Sequence, residues 1–136
     1  MVPMVKAKPP DSEKITINLG LVDLGQIDLL VEEGFYSNRT DLIRTALRNL
    51  LATHADVVKQ TVARKSLSLG LQRYSRAELE ALRAAGRRLR IQALGLVVVE
   101  DDVSPELAVA TIESVAVLGA FHASPAVKAA LLDRTH

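Results

Sequence analysis

Residues 12–20 read SEKITINLG, in which Lys14, Thr16 and Asn18 interleave with Ile15, Ile17 and Leu19. A period of two marks a β-strand with one apolar face and one polar face. No second strand follows it. The next stretch, LVDLGQIDLLVEEG, sets Leu24, Ile27, Leu30 and Val31 at helical spacing, with Asp23, Gln26, Asp28, Glu32 and Glu33 mostly opposite. Gly25 inside this helix costs about 1 kcal/mol relative to alanine, and Gly34 is suited to end it. YSNRTDLIRTALRNLLATHADVVKQTV then predicts a longer helix. Ser37 is its expected N-cap, Asp41 an acid near its first turn, and Leu42, Ile43, Ala46, Leu47, Leu50 and Leu51 one wide apolar stripe. Phe35 and Tyr36, just before it, are placed to close over the first helix.

A strand and two helices in about 50 residues cannot stand alone. A single strand has no partner for its backbone groups, and both helices present apolar faces with too little to cover them. A second copy removes both difficulties. Two strands join as an antiparallel ribbon over four helices, with Ile15, Ile17 and Leu19 beneath. An obligate homodimer is the expectation.

The ordered set KITINL, the Gly34 turn and EEGFYSNRTDLIRTALRNLL resembles the ribbon-helix-helix (CopG/MetJ/Arc-like) family of transcription regulators. The resemblance covers residues 13–52, about the first third of the chain. Gly20 and Gly25 depart from it, and both touch only the first helix. The resemblance implies a dimeric ribbon in the major groove of double-stranded DNA, where all four base pairs are distinguishable. Carried over by position, Lys14, Thr16 and Asn18 form the base-contacting set: Lys14 toward guanine, Asn18 toward adenine, Thr16 toward a polar edge or a thymine methyl. The start of the second helix would hold a phosphate through the backbone N–H groups of Asn38 and Arg39 and the Ser37 hydroxyl. Arg44 and Arg48 read as a solvated helix face.

Charge alone does not announce such a partner, because 17 basic residues stand against 16 acidic ones. Its distribution says more. Residues 38–49 hold three arginines against Asp41, and residues 83–90 hold four arginines and no acid. With no cysteine, disulfides, iron–sulfur clusters and thiolate zinc sites are excluded. His54, His122 and His136 have no ligand spacing between them, so no metal and no cofactor is expected. No phosphate loop and no Ser/His/Asp arrangement appears, and the paired acids lie on a helix surface and in a turn; an enzyme is not expected. No run reaches the roughly 18 apolar residues of a membrane span. The N-terminal residues lack the apolar core of a signal peptide, so a cytoplasmic protein is the expectation; the family resemblance implies a prokaryotic one.

From residue 66 the texture changes. SLSLGL, IQALGLVVV and VAVLGAF share a Leu-Gly core with glycines at 70, 95 and 119. Each precedes a helix-like stretch, beginning at Ser75, Ser104 and Ser124. In the last two, Ser-Pro sets a cap and then a proline at the first helical position. The last two copies align throughout: Ile91 with Val115, Leu94 with Leu118, Val103 with Val127, Leu107 with Leu131. A strand-then-helix repeat of about 24 residues predicts a small solenoid-like β/α stack whose apolar face needs a cover.

The expected fold is thus α+β: a mobile arm over 1–11, a dimeric β-α-α ribbon-helix-helix domain over 12–65, and a repeat-like β/α domain over 66–136. The expected function is sequence-specific DNA binding as a transcriptional repressor, with residues 66–136 serving higher oligomerisation or a protein partner. An autoregulating antitoxin and an architectural DNA-coating protein are the competing readings.

Overall fold

A computed structural model describes residues 12–136. The expected arm of residues 1–11 lies outside the described residues. In chain order the elements are α1 (Leu21–Glu32), α2 (Arg39–Thr53), α3 (Ala55–Arg64), β1 (Ser68–Tyr74), α4 (Arg76–Ala84), β2 (Leu89–Val99), α5 (Pro105–Thr111), β3 (Ile112–His122) and α6 (Pro125–Ala130), closed by a 3-10 turn over Leu132–Arg134. Among the described residues they form two compact units, one of Lys14–Thr61 and one of Val62–His136 together with Ser12 and Glu13.

The first unit differs from the sequence expectation in four places. Residues 13–20 form no ladder within the single chain. The reason is the one that made the strand conspicuous: a ladder needs a second strand, and this unit offers none among the described residues. α1 does follow, starting at Gly20 without a side-chain cap and ending through Gly34 at φ 85°. At that end the Gly34 N–H donates to the Val31 carbonyl and the Phe35 N–H to the Leu30 carbonyl, which satisfies two terminal acceptors. Phe35 does not close over α1; it is 71 % exposed, while Tyr36 is half-buried. The N-cap of α2 is Asn38, not Ser37: the Asn38 side chain accepts from the Asp41 N–H at 2.8 Å. The long helix is also broken at His54, where the backbone opens to φ −102°, ψ 12°. The Thr53 hydroxyl donates to the Asn49 carbonyl at 3.0 Å, a back-bond one turn earlier of the kind that bends helices.

The second unit carries the core. β1, β2 and β3 form a parallel sheet in the order 1-2-3. Ile91, Ala93, Val97 and Val99 on β2 and Val115 on β3 are buried under Leu79 of α4, Leu107 and Ala108 of α5, and Val127 of α6. Each fully buried aliphatic side chain of this size contributes about 1.5–3 kcal/mol relative to exposure. Ser75, Ser104 and Ser124 cap the three helices, accepting from the N–H groups of Glu78, Leu107 and Val127. Thr111, buried and polar, is satisfied by donating to the Leu107 carbonyl at 2.7 Å. The outer edge of β3 is blunted by the chain end: Thr135 bridges to Val115, and the His136 N–H donates to the Val115 carbonyl at 2.8 Å.

The three Leu-Gly runs are the three strands, and their glycines meet. Gly70 pairs with Gly95 and Gly95 with Gly119, each at positive φ. Ile91 lies opposite Val115 and Leu94 opposite Leu118.

Candidate nucleic-acid interface

Lys14, Thr16 and Asn18 lie on the segment leading into α1, and all three are exposed. So are the apolar residues between them: Ile15 is 75 % and Ile17 63 % exposed. Two such side chains left in water forfeit most of their burial energy, about 1.5–3 kcal/mol each when fully covered. The helices behind show the same deficit. No residue of α1, α2 or α3 is buried, and Leu29, Leu47, Leu50 and Leu51 are all more than half exposed or at half. Within one chain this unit is a surface without a core.

The start of α2 gathers Ser37, Asn38 and Arg39, as the sequence order requires. Its first turn is laced from both sides. The Asp41 N–H donates to the Asn38 side chain, and the Ser37 N–H donates to the Asp41 carboxylate at 3.0 Å. The N–H groups of Arg39 and Thr40, in the first helical positions, have no intrahelical acceptor by the geometry of an α-helix. With the positive end of the helix dipole they favour an anion.

Arg39 holds a role that sequence spacing does not reveal. Its guanidinium grips Asp28 of α1 through two parallel bonds, Nε to Oδ1 at 2.7 Å and Nη2 to Oδ2 at 2.8 Å. The two residues are 11 positions apart on different helices, so no periodicity points to the pair. The Arg39 hydrogen bonds hold the Asp28 carboxyl below the usual aspartate range, and the Asp28 bonds raise Arg39 in turn. Both side chains are about half exposed, so the fork serves mainly to align α1 with the start of α2. Asp28 is the residue of this site that sequence reasoning missed. Among the described residues no group of three or more His, Asp or Glu side chains could hold a metal ion, and no helix is long and apolar enough to cross a membrane.

No curated protein and no solved structure matches the chain. A family model, that of a ribbon-helix-helix transcriptional regulator family, matches residues 10–128. The match runs well past the β-α-α stretch, through the sheet and into α6. An unpaired alternating segment, two helices without a core and a match over most of the length lead to one conclusion: the chain belongs to the ribbon-helix-helix transcriptional regulator family, whose members generally bind DNA and act as dimers.

Proposed function

We propose that this protein is a sequence-specific DNA-binding repressor in which residues 13–20 of two copies pair as an antiparallel ribbon and enter the major groove. The observation that carries this reading is the exposure, in one chain, of both halves of the alternating segment. Pairing gives the backbone its ladder and sets Ile15, Ile17 and Leu19 over the helices of both copies. It leaves Lys14, Thr16 and Asn18 outward, twice, for base edges. The start of α2 then takes a backbone phosphate through the main-chain N–H groups of Asn38 and Arg39 and the Ser37 hydroxyl. Because the Arg39 side chain is committed to Asp28, its main chain rather than its guanidinium serves the phosphate.

Within this reading residues 12–65 are the DNA-binding domain and residues 66–136 the part that assembles copies or meets a partner. Support for that division comes from where burial lies: the second unit has its own core, and the first has none. Selection of bound sequences from a random DNA pool, followed by salt titration of the winner, tests the reading. A defined site is expected, preferred over random DNA by at least 10³-fold. Equal binding to every sequence with a steep salt slope would reduce the protein to a backbone binder and overturn base readout.

A further inference from the structure

We propose that the arginine-rich end of the second unit, at Arg83, Arg87 and Arg88, binds the phosphate backbone of duplex DNA. The three lie where α4 closes and the chain turns into β2. The Ala85 N–H donates to the Ala81 carbonyl, the Gly86 N–H to Arg83 and the Arg87 N–H to Leu82, with Gly86 at φ 66°. The last carbonyls of α4 are thus satisfied by the main chain, and the guanidiniums of Arg83 and Arg87 are not needed as caps. Both residues are exposed, and among the described residues neither side chain makes a hydrogen bond or an ion pair. Residues 81–99 contain no acid to answer them.

The fold adds a convergence that spacing along the chain does not reveal. Arg88 and Arg134 both donate to the Val109 carbonyl at the end of α5, at 3.4 and 3.0 Å. Arg134 also donates to the Ile112 carbonyl at 2.9 Å, so α5 has its cap without Arg88. Two guanidiniums on one oxygen repel each other, and an anion beside them offsets that repulsion. The acids of the neighbouring elements are already engaged. Glu113 holds Arg90 at 2.9 Å. Its carboxyl lies below the usual glutamate range through the hydrogen bond and charge of Arg90, with the charge of Arg88 adding. Asp133 lies against Arg134 at 3.7 Å, and Glu80 holds Arg76 at 3.0 Å. Positive charge is left over at this end of the unit.

A duplex backbone is the anion that fits. Guanidiniums grip phosphate oxygens through paired N–H groups, and a row of arginines can follow a row of phosphates. Residues 81–99 hold no aromatic side chain, so the stacking that retains single strands and RNA loops is missing from this stretch. The family generally binds DNA, and in taking DNA as the anion the inference rests on the reading above. Such a contact adds affinity and salt dependence and carries no sequence information.

The test is a salt titration of the full chain on a random duplex of about 60 base pairs, where each phosphate contact contributes about 0.9 to the log–log slope. Arg83→Gln, Arg87→Gln and Arg88→Gln together are expected to lower the slope by about 2–3, and low-salt affinity by about tenfold or more, with the circular dichroism unchanged. Arg83→Lys, Arg87→Lys and Arg88→Lys keep the charge and should keep most of the slope. Arg73→Gln, Arg76→Gln and Lys128→Gln remove equal charge elsewhere on the unit and should leave the slope within about 0.5. An unchanged slope in the first variant overturns the proposal. So does an equal fall in the last, since net charge alone would then be at work. Should the first variant fail to fold, a cross-link decides. The chain has no cysteine, so Arg87→Cys can be labelled with a benzophenone maleimide and irradiated on the same duplex. DNA adducts about fivefold or more above those of Arg73→Cys, at the opposite end of the strands, are expected; equal yields overturn the proposal. Random DNA holds no selected site, so this result stays readable if pool selection fails. A site can also be selected while these arginines stay idle, and the two readings fall separately.

Discussion

The carbonyl of Gly95 occupies the space that a Cβ on Gly119 would need, and the carbonyl of Gly70 does the same to Gly95. The three glycines pair in register across the parallel sheet, each with φ between 107° and 137°. The obstruction runs one way. Gly70, on the edge strand, has nothing within reach of an added Cβ. Gly95→Ala and Gly119→Ala therefore meet both the left-handed backbone cost, about 1–3 kcal/mol, and a clash with a main-chain oxygen that cannot rotate away. Gly70→Ala meets only the first. Urea unfolding is expected to rank Gly70→Ala well above the other two, which should lose most of the unit's stability. Equal losses at all three positions would show that backbone conformation alone matters.

Ser66 is the complementary case, a side chain where glycine would fit better. At the end of α3 the Ser66 N–H donates to the Ala63 carbonyl and the Leu67 N–H to the Val62 carbonyl, the same closure that Gly34 provides for α1. Ser66 holds it at φ 53°. The left-handed conformation costs a non-glycine residue about 1–2 kcal/mol, partly offset by the larger unfolded-state entropy of glycine. Ser66→Gly is expected to stabilise the protein by about 0.5–1 kcal/mol, read as a higher urea midpoint at unchanged slope.

The cap assignment separates two neighbouring residues. Asn38→Ala removes the acceptor for the Asp41 N–H and should cost about 1 kcal/mol in stability. The Ser37 hydroxyl makes no such cap, so Ser37→Ala should leave the melting curve nearly unchanged. On the proposed phosphate contact, Ser37→Ala weakens binding to all DNA sequences alike. Paired melting and DNA titrations of the two variants check both statements.

The Asp28–Arg39 fork gives the first unit a weak acid dependence. The Asp28 carboxyl is lowered in the folded chain by its Arg39 hydrogen bonds, with the Arg39 charge adding to them. A depressed acid stabilises the fold above its unfolded value, near 3.8, and loses that contribution as pH falls through the lower folded value. Exposure keeps the effect small. The gap in urea midpoint between the wild type and Asp28→Asn should narrow steadily on acidification. At neutral pH the Asp28→Asn variant frees the Arg39 fork beside the proposed phosphate site. DNA affinity at low salt should rise, with a salt slope steeper by up to one ion.

Base reading is carried by the outward residues. Asn18→Ala and Thr16→Ala should each reduce binding to the selected site by about 1–3 kcal/mol while leaving binding to random DNA nearly untouched. Gel-shift titrations on both DNAs decide it, and parallel losses on the two would count against base contacts.

Local chemistry was legible wherever neighbours in sequence settle the structure. The Gly34 stop, the serine caps at 75, 104 and 124, and the Leu-Gly runs all lie where hydrogen bonds within four residues, or alternation within one strand, decide the outcome. Alignment of Ile91 with Val115 and Leu94 with Leu118 was also readable, because equivalent positions of a repeated pattern occupy equivalent ladder sites. The choice between Ser37 and Asn38 was not. Both are good caps, and the decision came from which side chain faces the Asp41 N–H. The break at His54 was equally hidden, since Thr53 is compatible with an unbroken helix until its hydroxyl turns inward.

By itself the sequence determined that the first third lacks a core of its own: one alternating segment and two amphipathic helices cannot bury what they carry. It also marked three glycine-centred runs, each followed by a helix-like stretch; that they pair as one parallel sheet came from the structure. Only the tertiary structure decided that Arg39 is held by Asp28, that the glycines must be glycine because a neighbouring strand's carbonyl lies in the way, and that all three helices cover one face of the sheet. These facts depend on distances between residues far apart in the chain, and local preference carries no information about them. The leucine rows are the clearest instance: alternation says that a strand has two faces, and only packing says which one the three helices cover.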